Sequence, residues 1–190
     1  MNLTSPSVVR ELLRRHGVQL HRALGQNFLV DANILGKIVD AAELTPETRV
    51  LEVGAGIGTL TRALAARAGG VLVVELDRSL RPILQETLAG LGNVHVEYGD
   101  ILKVDLPALL REHCAPPCRV VANIPYQITS PLIARLLENK ASFERLVLMI
   151  QKEVAERLLA RPGTSDYGSM TVFVRYHAEV RLVTHVSRNS

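Results

Sequence analysis

From Arg49 onward the chain alternates two patterns of apolar and polar residues. "RVLEVGA", "GVLVVELD", "CRVVAN" and "RLVLMI" are short and rich in Val and Leu, and "NVHVEYGD" reads as a further strand. Between them, "TLTRALAARA", "SLRPILQETLAG", "PALLREH" and "SPLIARLLEN" carry apolar residues at helical spacing, and "KEVAERLLA" follows the last strand in the same way. Near-continuous apolar runs are what strands look like when helices cover both faces of a sheet. The alternation therefore predicts an α/β fold with a doubly wound, mostly parallel sheet. After the turn-rich "RPGTSDYG", the segments "SMTVFVRYH" and "EVRLVTHV" alternate differently and are predicted as edge strands added antiparallel at the end. Before Arg49, Ser5 and Pro6 mark the start of a first helix, with Val9, Leu12 and Leu13 as its apolar stripe and Arg10 and Arg14 on another face. A loop, "LHRALGQNFLVD", leads to a second helix that Asp31 can cap, with Ile34, Leu35, Ile38 and Val39 inward.

Composition adds bounds. The chain has 190 residues, 47% hydrophobic and 22% charged, which suits one domain with a sizeable core. It divides into a helical, basic segment over 1–48 and a Rossmann-like core over 49–190. No run of about 18 apolar residues and no secretory signal is present, so the expectation is a cytoplasmic protein with no membrane span. Both cysteines lie in "HCAPPC"; His113, Cys114 and Cys118 would supply too few ligands for a tetrahedral site, so no metal is expected and the thiols are read as reduced. The net charge of +3 permits a polyanionic partner without demanding one. Arg10, Arg14, Arg15, His16, His21 and Arg22 crowd the first segment, where on charge alone a solvated helix face is the favoured reading.

In doubly wound sheets, ligands sit outside the carboxyl ends of the strands. The first strand ends in "LEVGAGIGTLT", where Gly54, Gly56 and Gly58 allow a tight turn and a close approach to the backbone. No Gly-Lys-Ser/Thr follows, and the spacing misses the dinucleotide pattern G-x-G-x-x-G. Glu75 ends the second strand at the distance where a carboxylate can accept both hydroxyls of a ribose. Asp100, after the third strand, can accept from an adenine amino group, while Leu76 and Ile101 can sandwich the ring. This is an adenosine-shaped site with no phosphate-binding device, and S-adenosyl-L-methionine fits it better than a nicotinamide dinucleotide.

The fourth strand ends in Asn123-Ile124-Pro125-Tyr126. Asn and Pro both favour turns, yet an exposed Tyr after Pro has no structural necessity. The Asn123 side-chain carbonyl and the backbone carbonyl of Pro125, or of its neighbour Ile124, can hold the two hydrogens of an exocyclic amine. Proline fixes those acceptors in advance, and Tyr126 can stack on a base extruded from its own stack. An adenine N6 lone pair is delocalised into the ring. Acceptors on its N–H bonds favour pyramidal nitrogen and free the pair for in-line attack on a sulfonium methyl, so alignment replaces a strong general base.

"LGQNFLVDANILGKIVDAAEL", "VLEVGAGIGTLT", "VVELD", "GDIL", "VANIPYQITSPL" and "MIQKEVAERLLARPGTSDYGSMTV" together span nearly the whole chain. With these stretches the chain resembles the ribosomal RNA adenine N6,N6-dimethyltransferase family, and its bacterial small-subunit branch most. The resemblance implies a class I S-adenosylmethionine-dependent methyltransferase fold. It implies cofactor contacts from Asn27, Leu29, Gly54, Glu75, Asp100 and Asn123, beside Gly56, Leu76 and Ile101. It implies dimethylation of two adjacent adenines in the 3′-terminal hairpin loop of small-subunit rRNA, within an immature 30S subunit, during ribosome biogenesis. The basic first helix and loop would then touch RNA phosphates.

Members of that family continue past "HVSRNS" with a last strand and a small helical domain, so the expectation is a monomeric catalytic domain that binds cofactor and methylates weakly or not at all. Within the class, the alternative is a large-subunit rRNA adenine methyltransferase of the macrolide-resistance type, which shares the Asn-x-Pro-Tyr arrangement. From another class comes a non-catalytic RNA-binding assembly factor, against which the intact Asn123–Tyr126 motif argues. A generic dehydrogenase is disfavoured by the glycine spacing.

Overall fold

The protein is described by a computed structural model over residues 1–18 and 28–187. Five strands, β1 (Arg49–Val53), β2 (Gly70–Glu75), β3 (Val94–Tyr98), β4 (Cys118–Asn123) and β5 (Phe143–Met149), form one sheet in the order β3-β2-β1-β4-β5. Every pairing is parallel. The chain winds outward from β1 to β3, then crosses to β4 on the other side of β1. The strand order therefore reverses between β1 and β4, and a crevice opens at their carboxyl ends.

Each strand sends alternate residues to opposite faces. Val50, Val71 and Val73 join α1 (Pro6–Arg15), α2 (Ala32–Ala41), α3 (Thr59–Ala65) and α4 (Arg81–Thr87) in one core. Leu51, Val53, Leu72 and Val74 pack in a second core with Leu106 and Leu110 of α5 (Leu106–His113) and with Leu132 and Leu136 of α6 (Thr129–Glu138). The expected sheet is thus covered on both faces, which explains the largely apolar, buried runs of β1, β2 and β4.

Local signals hold in the N-terminal segment. Ser5 occupies the N-cap of α1 ahead of Pro6, although its hydroxyl does not cap, and Val9, Leu12 and Leu13 are buried. Asp31 caps α2, its carboxylate accepting from Asn33 and Ile34 N–H. Ile34, Ile38 and Val39 are buried there and Leu35 partly so. The cluster of basic residues is less free than its sequence implies: Arg14 pairs with Glu11, and both Arg15 and His16 reach Glu86 of α4. His21 and Arg22 lie outside the described residues.

The C-terminal expectation is corrected. "SMTVFVRYH" is a helix, α8 (Ser169–His177), not an edge strand. An alternating strand would bury Val172 and Tyr176 with Val174, but these two are exposed. Thr171 and Val174 are buried instead, with Met170 and Phe173 packed on the cluster formed by α6 and α7 (Lys152–Leu159). Burial of that helical stripe overrides the β-propensity of its Val, Thr and Phe residues. The Thr171 hydroxyl ties the start of α8 to α7, donating to the Arg157 carbonyl at 2.6 Å. "EVRLVTHV" forms no strand among the described residues; an alternating segment becomes a strand only where a neighbouring edge satisfies its N–H and C=O groups.

Cys114 and Cys118 are free, buried thiols. Among the described residues no cluster of His, Cys, Asp and Glu could hold a metal ion, and no helix is long and apolar enough to cross a membrane.

Candidate active site

At the crevice lies a cavity of about 220 Å³. The loop after β1 forms one wall. Gly54, Gly56 and Gly58 all have positive φ, at 76°, 56° and 87°. A Cβ on Gly54 would meet no protein atom within 4 Å, so this backbone faces open space. A Cβ on Gly56 would meet the Phe28 ring at 3.0 Å, so here glycine serves both the turn and the packing of a cavity residue.

Glu75 ends β2 and is buried. Its Oε2 accepts from Gly56 N–H at 3.0 Å and its Oε1 from Asp77 N–H at 2.8 Å. Each carboxylate oxygen keeps a further lone pair for a ligand hydroxyl. Burial raises the pKa of this carboxyl, against the lowering effect of those backbone bonds. Asp100, after β3, is held by Leu102 N–H at 2.9 Å and lies 3.4 Å from Lys103 Nζ. Arg135 of α6 fixes the same turn by donating to the carbonyls of Leu102, at 3.0 Å, and Val104. Leu76 is exposed and Ile101 buried, and both line the cavity.

β4 delivers Asn123 to the opposite wall. Beyond it, Ile124 N–H donates to the Met149 carbonyl at 3.0 Å, tying the loop to the end of β5. A 3-10 turn over Tyr126–Ile128 then leads into α6. Pro125 lines the cavity, but its carbonyl accepts from Ile128 N–H at 3.2 Å and from the Thr129 hydroxyl at 3.3 Å. These two bonds fix the orientation of the Pro125 carbonyl at the start of α6. Tyr126 is 51% exposed at the rim, between Pro125 and Gln127 of the lining.

The structure therefore gathers Leu29, Gly54, Gly56, Glu75, Leu76, Asp100, Ile101, Asn123 and Pro125 around one cavity, with Tyr126 beside it. Asn27 lies outside the described residues. Sequence reasoning passed over Phe28, Asp77, Gln127 and above all Glu52, which also line it. Glu52 is completely buried in β1, and neither carboxylate oxygen has a hydrogen-bond partner. Desolvation pushes its pKa up to about 8; the Thr61 hydroxyl moderates the shift from nearby without a well-aligned bond, and the Glu75 charge adds to it. The signal was a lone acid inside the apolar run "RVLEV".

These features suit a cationic nucleoside. The lining carries four acids, Glu52, Glu75, Asp77 and Asp100, and no Lys, Arg or His among the described residues. An orphaned buried carboxylate, an open glycine cradle and the buried Glu75 carboxylate at the end of β2 fit S-adenosyl-L-methionine without a phosphate site.

Comparison with known proteins agrees. Residues 17–190 match the family described as ribosomal RNA adenine dimethylase. Ribosomal RNA small subunit methyltransferase A of Pelotomaculum thermopropionicum is 48% identical over 98% of this chain and 65% of its own length. That of Geobacillus kaustophilus is 46% identical over 98% of this chain and 64% of its own length. The chain thus spans about 65% of the length of these curated relatives. Among solved structures, a dimethyladenosine transferase from Plasmodium falciparum has a TM-score of 0.68 at 36% identity, covering 76% of this chain and 50% of that one. The 23S rRNA methyltransferase ErmE has a TM-score of 0.61 at 38% identity, covering 75% of this chain and 53% of that one.

Proposed function

The chain belongs to the ribosomal RNA adenine dimethylase family, and from that premise we propose that it binds S-adenosyl-L-methionine in the strand-end cavity and transfers methyl groups to adenine N6 in small-subunit rRNA. The target is two adjacent adenines of the 3′-terminal hairpin loop in an immature 30S subunit, in the cytoplasm. One observation carries the reading: the β1/β4 switch point brings the Gly54 cradle, Glu75, Asp100 and Asn123 onto one cavity, with an exposed Tyr126 at its mouth.

When bound, the donor supplies an electrophilic sulfonium methyl. Glu75 accepts the ribose hydroxyls while Gly56 and Asp77 N–H hold its carboxylate in place. Leu76 and Ile101 cover the faces of the donor's adenine, and Asp100 accepts from its amino group. Asn123 Oδ1 and the backbone carbonyl of Pro125, or of its neighbour Ile124, accept the two N–H bonds of the target amine and leave its lone pair directed at the methyl. The bond from Ile124 N–H to Met149 fixes this pair before substrate arrives, so little reorganisation accompanies the reaction. Tyr126 stacks on the flipped base. The extra proton on the product amine leaves to solvent, and no general base is required.

A large-subunit target is the second reading, since ErmE shares the fold at 38% identity. Identities of 48% and 46% with small-subunit enzymes across 98% of the chain favour the first.

Titration calorimetry tests donor binding on this chain directly. Wild type binds S-adenosyl-L-methionine, and Glu75→Ala binds it about 10- to 100-fold more weakly, as expected for loss of hydrogen bonds to a charged acceptor. Primer extension on each subunit's rRNA then maps the methylated position. No affinity for the donor, or modification confined to large-subunit rRNA, would overturn the proposal.

A further inference from the structure

The Glu52 carboxylate is the least expected group in the molecule. It sits on the central strand, on the face shared with Val50, wholly out of water and unpartnered at both oxygens. Such a group is costly when ionised, and proteins that retain one leave it protonated or give it a cation. No cation in the cavity lining supplies that charge among the described residues. β2 contributes Glu75, the turn after it Asp77, and the turn after β3 Asp100; β4 contributes the neutral Asn123. α3 contributes the Thr61 hydroxyl, while the Arg62 guanidinium donates to the Thr87 carbonyl. In the empty cavity the carboxyl is left protonated, and a bound cation is what would ionise it.

We propose that Glu52 is a counter-charge built into the donor cavity: binding of a cationic methyl donor converts it from the protonated to the ionised form, and the cavity thereby prefers that donor to its neutral demethylated product. The inference rests on the proposed function and deepens it. The donor carries a sulfonium and an ammonium against a single carboxylate, so it is a net cation. Methyl transfer removes the sulfonium charge. The carboxyl O–H bond breaks as the donor binds, and its proton goes to bulk solvent. When the sulfonium is lost, the ionised carboxylate loses its partner and takes a proton back, which favours product departure. A cation close enough to ionise a carboxyl gains affinity by the same factor, because linkage is reciprocal.

Calorimetry in buffers of different ionisation enthalpy counts the protons. At pH 7, S-adenosyl-L-methionine binding to wild type releases about one proton, because the carboxyl starts protonated and ends ionised. S-adenosylhomocysteine binding releases measurably less. Glu52→Gln, which keeps the shape and cannot ionise, abolishes that release and lowers the donor-to-product affinity ratio at least about tenfold. Should this variant fail to fold, carbon NMR of the glutamate carboxyls in wild type reads the same event: the buried carboxyl titrates at lower pH with donor bound. Donor binding without proton release, release that persists in Glu52→Gln, an unchanged affinity ratio, or an NMR midpoint unmoved by donor would each overturn the counter-charge. Those results leave donor binding itself intact. Wild type binding neither ligand would instead overturn the donor reading, and the counter-charge with it.

Discussion

The cavity wall at the ends of β1, β2 and β3 and the loop Asn123–Ile128 meet at one site but are built in opposite ways. The wall is acidic and buried at its floor, where Glu52 and Glu75 lie. Its two glutamates are buried, and they differ in support: Glu75 accepts from two backbone N–H groups, whereas Glu52 has none. The loop is wet at its tip and neutral. It is stiffened by short-range bonds to the Pro125 carbonyl and by the tie to β5, and it leaves Tyr126 open to solvent. A small charged ligand is best discriminated where water is excluded, because electrostatics act strongly there. A macromolecular base must enter from outside, so its acceptors belong on a rigid rim.

If the division holds, damage to the two regions separates cleanly. Asn123→Ala removes an acceptor that matters most as the amine becomes pyramidal. Methyl transfer to rRNA is expected to fall about 100- to 1000-fold, with fold and solubility unchanged. A radiolabel transfer assay under single-turnover conditions checks this, and a rate within a few-fold of wild type would break the assignment. Tyr126→Ala removes a stacking face outside the donor cavity. The expected loss is about 1–3 kcal/mol of base stacking, seen in rRNA methylation and not in donor affinity, with Tyr126→Phe close to wild type. Equal loss of donor affinity would blur the two regions into one.

The third test concerns stability without ligand. The Glu52 carboxyl has its pKa raised from 4.5 to about 8, so its contribution to stability is complete below about 4.5 and is lost as pH rises toward 8. Glu75, raised for the same cause, acts in the same direction. Glu52→Gln is therefore expected to flatten the fall in melting temperature between pH 5 and 8.5 and to melt above wild type at the upper end. Calorimetric melts across that range check it, and parallel curves for the two proteins would contradict it.

The wall was the more legible region, because its residues follow from topology. Strand ends in a parallel sheet converge, and the spacing from Gly56 to Glu75 reflects one strand–helix–strand unit. The inner strands β1, β2 and β4 were readable as largely buried apolar runs, and the edge strands β3 and β5 from their place in the strand–helix alternation. α8 was not, since its Val, Thr and Phe residues favour strands in isolation and only packing on α6 and α7 makes them helical. Glu52 stands in plain view after Leu51, yet its burial and its lack of partners are properties of the assembled core. The engagement of the Pro125 carbonyl likewise depends on where the turn places Ile128 and Thr129.

The most direct measurement is a crystal structure of this chain with S-adenosylhomocysteine, whose sulfur and nucleoside stand in for those of the donor. The account predicts the ribose hydroxyls on Glu75, the adenine between Leu76 and Ile101 with its amino group toward Asp100, and the sulfur facing Asn123. A ligand bound elsewhere, or one whose sulfur lies on the far side of the cavity from Asn123, would contradict it.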